Sequence, residues 1–248
     1  MMRASLLVAV LASWCLAPAA FATTISVSTP VGATDTSGEA VDASAMITTG
    51  AGTVMINLSN LLTASQVKSV GQNVTDLSFT LGGITSAGTV TSSTGTFIDV
   101  GSGGAVTSSS SNLSGPNLIG WGLSHAGDVY LLNGLGGSAT PENTIIGGTA
   151  GSFTPYSHAT SSIDANGPHN PFVQGTGMWV LSISGVTAGT SISDVVFSFG
   201  TTPGDNIPTS TPEPESALLL LIGLGALLTA AAFRRKKAPA SAIALLHS

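Results

Sequence analysis

Met178-Trp179-Val180-Leu181-Ser182-Ile183 sets Trp179, Leu181 and Ile183 on one face and Met178, Val180 and Ser182 on the other. A repeat of two belongs to an extended strand with one buried face, because successive side chains leave a strand on opposite sides. The pattern recurs elsewhere. Val195, Phe197 and Phe199 alternate with Val196, Ser198 and Gly200, and Leu77, Phe79 and Leu81 alternate with Ser78 and Thr80. Thr53–Leu58, Thr96–Val100 and Asp128–Leu132 read as further strands. Short period-two runs bounded by Gly, Asn and Ser predict a mainly β fold, an antiparallel β-sandwich over residues 23–205. One or two helical turns are expected at Ala64–Val70, where Thr63 and Gln66 fit a capping box.

Two of these strands echo each other. Gly71-Gln72-Asn73-Val74-Thr75-Asp76-Leu77-Ser78-Phe79-Thr80-Leu81-Gly82 parallels Gly189-Thr190-Ser191-Ile192-Ser193-Asp194-Val195-Val196-Phe197-Ser198-Phe199-Gly200 at a constant offset of 118. Each has a turn, an Asp and an alternating strand closed by Gly. Two readings stand: convergence on one good strand-entry sequence, or related strands placed equivalently in two sheets. Too little else repeats for a tandem domain.

Charge is distributed unevenly. Residues 23–211 hold one cation, Lys68, and ten carboxylates, so the body carries a net charge of −9 against −6 for the whole chain. A body without a basic patch excludes nucleic acid as a partner, since that binding rests on neutralising phosphates. Ser and Thr make up 58 of these 189 residues, which describes a neutral, hydrated surface compatible with a polysaccharide matrix.

Both ends of the chain carry addresses. Arg3, the apolar core Leu6–Leu11 and the small-residue site Ala20-Phe21-Ala22 form a secretory signal peptide, residues 1–22, cut after Ala22. Cys15 lies inside it, so the mature chain has no cysteine, no disulfide and no thiolate metal site. At the other end, Thr211-Pro212-Glu213-Pro214-Glu215-Ser216 closes a linker, 206–216. The uncharged run Ala217–Phe233 follows, 17 residues long. As a helix it would reach roughly 25 Å, near the short limit of a membrane span. It is apolar all round and so has no face for water. Arg234-Arg235-Lys236-Lys237 come next, and positive charge holds such an end in the cytoplasm. Residues 217–233 therefore read as a transmembrane helix and 234–248 as a basic cytoplasmic tail. Pro212 and Pro214 lack an N–H and hold φ fixed, so the motif stands extended just outside the bilayer.

This tail, over residues 212–237, resembles the PEP-CTERM sorting signal of bacterial surface proteins. The same kind of tail also goes by the name ice-binding protein C-terminal domain, a label that carries no activity. The resemblance implies that exosortase, a membrane peptidase, is the partner that cuts near Pro212-Glu213-Pro214. It implies an inner-membrane intermediate, then delivery to the cell surface or extracellular matrix. Two features depart from the usual pattern: Ala238–Ser248 follow the basic cluster, and Glu215 stands where a smaller residue is more usual.

The body offers little chemistry. His125, His158 and His169 are its histidines, and none lies in a recognised metal, phosphate or nucleophile motif. No catalytic residue, cofactor or metal is expected. The densest polar stretch is Pro155–Phe172, with Tyr156, His158, Asp164, Asn166, His169 and Asn170. An ordered loop bonding its own backbone is one reading. Glycan contact is another, through Tyr156, His158 and His169 together with Trp121, whose ring could stack on a sugar. A divalent metal on His158, Asp164 and His169 is a third.

The expected function is that of an exported protein, structural or adhesive in exopolysaccharide or biofilm, and not an enzyme. A glycan-binding module is the alternative. Ice binding is a weaker form of it, since Thr89, Thr91, Thr94 and Thr96 only loosely form an array. A secreted hydrolase is the remaining alternative.

Overall fold

The computed structural model describes residues 22–108, 117, 119–135, 142–201 and 206–209. The signal peptide up to residue 21, the motif Pro212–Pro214, the expected transmembrane helix 217–233 and the basic tail lie outside the described residues. Among the described residues, no helix is long and apolar enough to cross a membrane.

The described residues are mainly β. Twelve strands occur: β1 Thr24–Ser28, β2 Ala43–Gly50, β3 Thr53–Asn60, β4 Val74–Leu81, β5 Gly88–Val100 and β6 Val106–Ser108 in the first half. The second half holds β7 Gly122–Ala126, β8 Val129–Asn133, β9 Ile145–Ile146, β10 Phe172–Ile183, β11 Ile192–Phe199 and β12 Asn206–Pro208. Each predicted strand overlaps one of these, with Asp128 falling in the turn just before β8. The predicted helical turns at Ala64–Val70 do not form. Residues 64–66 make a simple turn, and a 3-10 turn follows at Val70–Gln72. The Gln66 side chain caps the Thr63 amide as expected, at 2.8 Å. The Gln72 side chain, however, takes the amides of Lys68 and Ser69, which ends any helix there.

Hydrogen bonds join all twelve strands into one open sheet, where the two separate sheets of a sandwich were expected. One run is β1-β2-β3-β10-β5-β6 and the other is β12-β11-β4-β8-β7. The short strand β9 links them. Ile145 lies parallel to Val173 of β10 and antiparallel to Val74 of β4. The inward side chains of both runs nevertheless share one core, with Ile47, Ile56, Trp179 and Leu181 from the first and Leu77, Phe79, Tyr130 and Phe197 from the second. Burying these rings and branched chains is the main stabilising term, about 1.5–3 kcal/mol for each large apolar side chain. A second, smaller cluster packs Leu62, Val67, Ile98, Ile146, Tyr156 and Phe172 beneath the loops near β9.

The echoed strands β4 and β11 are immediate neighbours, not counterparts in two sheets. Leu81 faces Ile192, Ser78 faces Val196 and Val74 faces Phe199. Because Val74 and Ile192 correspond in the echo, as do Leu81 and Phe199, this pairing is two-fold about Ser78 and Val196. Each strand opens with the same Asp, but the environments differ. Asp76 is buried in the sheet, whereas Asp194 is exposed at a bulge with φ of 49°.

The outer face of the first run is exposed and uncharged. In register, Met46 of β2 faces Asn57 of β3, which faces Met178 of β10, which faces Thr94 of β5. The next row reads Thr48, Met55, Val180 and Ser92. Hydroxyls bond sideways within the face, Thr24 to Thr48 at 2.9 Å and Ser59 to Thr176 at 2.8 Å. A register shift between Val180 and Leu181 interrupts β5, so its threonines do not form an unbroken array.

Candidate functional site

The sorting tail leaves the body from the sheet itself. The linker expected from residue 206 starts later, because Asn206–Pro208 pair with β11. Ile207 packs on the core, and Pro208 is tolerated because it sits on an edge strand that needs no N–H there. The Thr209 amide then donates to the Val195 carbonyl at 3.2 Å. Pro212 is three residues further on, which is at most about 11 Å of extended chain. The described body thus ends within that reach of the motif.

The four residues expected to touch glycan do not form one site. Trp121 is 1% exposed and lies against Trp179 with ring centroids 4.7 Å apart. Its Nε1 donates to the Asn143 carbonyl at 3.0 Å, so it is a core residue with no face for a sugar. Tyr156, also 1% exposed, belongs to the other cluster and donates to the Gly147 carbonyl at 2.6 Å. Burial pushes its hydroxyl up to about 12. His169 is buried at the end of the 3-10 turn Gly167–His169. Only His158 is exposed, with Nδ1 2.8 Å from the Ser65 carbonyl.

The loop holding them mostly satisfies its own backbone and that of its neighbours. Asn170 clamps the end of β5, accepting from the Val100 amide at 2.9 Å and donating to the Val100 carbonyl at 3.1 Å. Asn166 donates to the Ser162 carbonyl, and Thr160 donates to the Lys68 carbonyl. Among the described residues, no three His, Cys, Asp or Glu side chains come together as metal ligands.

Sequence reasoning missed a cleft of about 160 Å³ beside His158. Thr63, Ala64, Ser65, Thr149, Ser152, Thr154 and Gln174 line it. Gln174 is held rigidly, accepting from the Gly151 amide at 2.9 Å and donating to the Ser152 carbonyl at 2.8 Å. The lining is neutral and rich in hydroxyls. It holds no charged side chain. Its residues come from three distant stretches of a chain full of Ser and Thr, so no local signal marked it.

Asp76 is the one described carboxylate with a strongly displaced acidity. Burial pushes it from 3.8 up to about 6, although the Gly134 and Leu135 amides draw it partly back. The folded chain then holds this proton more tightly than the unfolded chain does. The stability this contributes is complete below about pH 4 and is lost as pH rises through about 6. Asp76→Asn keeps an acceptor for the Gly134 amide and removes the buried charge. After allowance for residual solvent, it is expected to stabilise the body at pH 7 by about 1–2 kcal/mol. It should also flatten the fall in stability between pH 4 and 7. Urea unfolding followed by circular dichroism across that range checks both effects, and unchanged stability at pH 7 would contradict them.

No curated protein and no solved structure matches this chain. Its tail does find a match: residues 210–236 fit the family model of the PEP-CTERM protein-sorting motif. The motif begins one residue after Thr209, the last described residue, which is bonded to the sheet, and the chain carries a PEP-CTERM sorting signal, which implies exosortase processing and export through a membrane step toward the cell surface.

Proposed function

We propose that this chain is an exported structural or adhesive protein of the extracellular polysaccharide, with its tail serving as exosortase substrate. The observation that carries the reading is the sorting motif at 210–236, which follows in sequence directly on a mainly β body. The chemistry belongs to the exosortase, and the chain supplies Pro212, Glu213 and Pro214 as the segment that is gripped. Arg234, Arg235, Lys236 and Lys237 hold the end inside while the cut is made. The acidic, hydroxyl-rich body then sits in hydrated polymer without seeking phosphate or anionic lipid. Deleting exosortase from the producing cell tests the first half. Full-length chain should collect in the membrane fraction, and surface delivery at mature size would refute it. For the second half, the released body should sediment with the cell's own exopolymer, and a body wholly free of polymer would refute that role.

A narrower reading, a glycan-binding module, draws on the neutral cleft of Thr63, Ser65, Thr149, Ser152, Thr154 and Gln174. The hydroxyls suit the groups of a sugar unit, and the buried Gln174 amide holds Gly151 and Ser152 in place beside them. Gln174→Ala should then lower retention on the exopolymer, measured beside the unaltered chain.

A further inference from the structure

We infer that the outer face of β1, β2, β3, β10 and β5 is a self-association surface that packs on the same face of a second copy. Three large apolar side chains project from it: Met46 at 48% exposure, Met55 at 52% and Met178 at 52%. They are not scattered. Met46 and Met178 flank Asn57 in one cross-strand row, and Met55 lies beside Val180 in the next. Methionine enriched and charge depleted at the centre is the composition of an interface core.

Charge selects the occupant. The body holds ten carboxylates and one cation, yet no Asp, Glu, Lys or Arg stands in the two cross-strand rows that carry the methionines; Asp42, just before β2, and Asp99, near the end of β5, lie beyond them. Two copies of so acidic a body repel each other over most of their surface. This face is where they can approach without setting like charges together. A glycan fits less well. The face carries no aromatic ring to lie on a sugar, and several of its hydroxyls already bond each other.

Size and shape agree. Five strands about 4.8 Å apart, each with about seven residues rising about 3.3 Å, span roughly 550 Å². Two such faces bury roughly 1,100 Å², just above the approximately 1,000 Å² that marks a specific interface. Sheets stack face to face about 10 Å apart. Unbranched methionines can fill that gap without a demanding fit. A two-fold axis would place the same patch on both partners.

The inference does not rest on the sorting tail, and its test reads out whether or not the tail is cut. Cys15 is the chain's one cysteine, so a Cys15→Ala full-length chain can carry single reporter thiols. In intact cells under mild oxidation, Met55→Cys should form a covalent dimer. Ser124→Cys, exposed on β7 of the other run, should stay monomeric. In parallel, the full chain in detergent is followed by sedimentation over a range of concentrations. The wild type should self-associate. The triple variant Met46→Asp, Met55→Asp, Met178→Asp should associate more than about a hundredfold more weakly, because like charges then face each other. At concentrations low enough for the wild type to be monomeric, its thermal melt should stay close to the wild type's, since all three side chains are about half exposed. A wild type that stays monomeric throughout, or a triple variant that associates equally well, overturns the inference. A monomeric wild type whose triple variant loses its hold on exopolymer also overturns it, and assigns the face to glycan.

Discussion

Replacing Pro212-Glu213-Pro214 with three alanines is expected to leave nearly all of the chain uncut and held at the membrane. The reason is conformational as well as chemical. Two prolines disfavour a helix over this stretch, because neither can donate a backbone hydrogen bond and each restricts φ to near −65°. Alanine is the best helix former, so in the variant a helix formed by the apolar run 217–233 would be free to continue back through 212–214. An enzyme that grips an extended segment then meets a helix. There is no spare chain to compensate, because the body is pinned to the sheet as far as Thr209. The substitution lies beyond every described residue, so the body's circular dichroism and melting should not change. Pulse-chase immunoblots of membrane and released fractions read the result. Maturation at the wild-type rate would show that the motif is not what the peptidase reads.

Trp179→Ala is expected to cost about 3–5 kcal/mol, a large part of the 5–15 kcal/mol by which a domain of this kind is stable. Trp179 sits on β10, which pairs with β3 and β5 along most of its length and with β9 at its start. Its indole lies against Trp121 at the centre of the main cluster. Two glycines make room for the rings. A Cβ at Gly177 would come within 2.4 Å of the Trp179 ring, and one at Gly134 within 2.5 Å of the Trp121 ring. Neighbours shaped this closely cannot collapse into the space left by a missing indole. Trp121→Ala should cost as much or more, because it also strips the Asn143 carbonyl of its donor. The two losses should not add, since both remove the same contact. Equilibrium urea unfolding of the single and double variants checks this. A loss below about 1 kcal/mol for Trp179→Ala would mean that the ring pair does not anchor the core.

Several elements were legible from pattern alone. Leu77–Leu81, Val195–Phe199 and Met178–Ile183 alternate cleanly because each buries one face against the main core, and each is a strand. The first half of β10 was not legible. Phe172 to Gly175 are buried on both faces, so Gln174 and the glycines there broke the period-two pattern. β2 escaped notice because alanines occupy two of its three inward apolar positions, Ala43 and Ala45. β12 escaped because a three-residue edge strand beside a proline looks like linker. Candidate contacts fared worst, for a physical reason. Trp121 between two glycines reads equally well as an exposed platform or as a ring packed where glycines leave space, and Tyr156 carries no mark of burial. Only neighbours distant in the chain decide between them, Trp179 for Trp121 and Leu62 and Ile98 for Tyr156.

By itself, the sequence determined the mainly β class, the acidic charge of the body and the sorting tail. These depend on local periodicity, on composition and on a short contiguous motif, all of which survive without tertiary contacts. Only the tertiary structure decided that the strands join through β9 into one open sheet, that β4 and β11 pair about a two-fold, and that Trp121 and Tyr156 are core. It alone brought Met46, Met55 and Met178 onto one uncharged face and buried Asp76 where its proton is held. Each of these depends on which residues meet across long sequence separations, and long-range pairing leaves no trace in the local order of side chains.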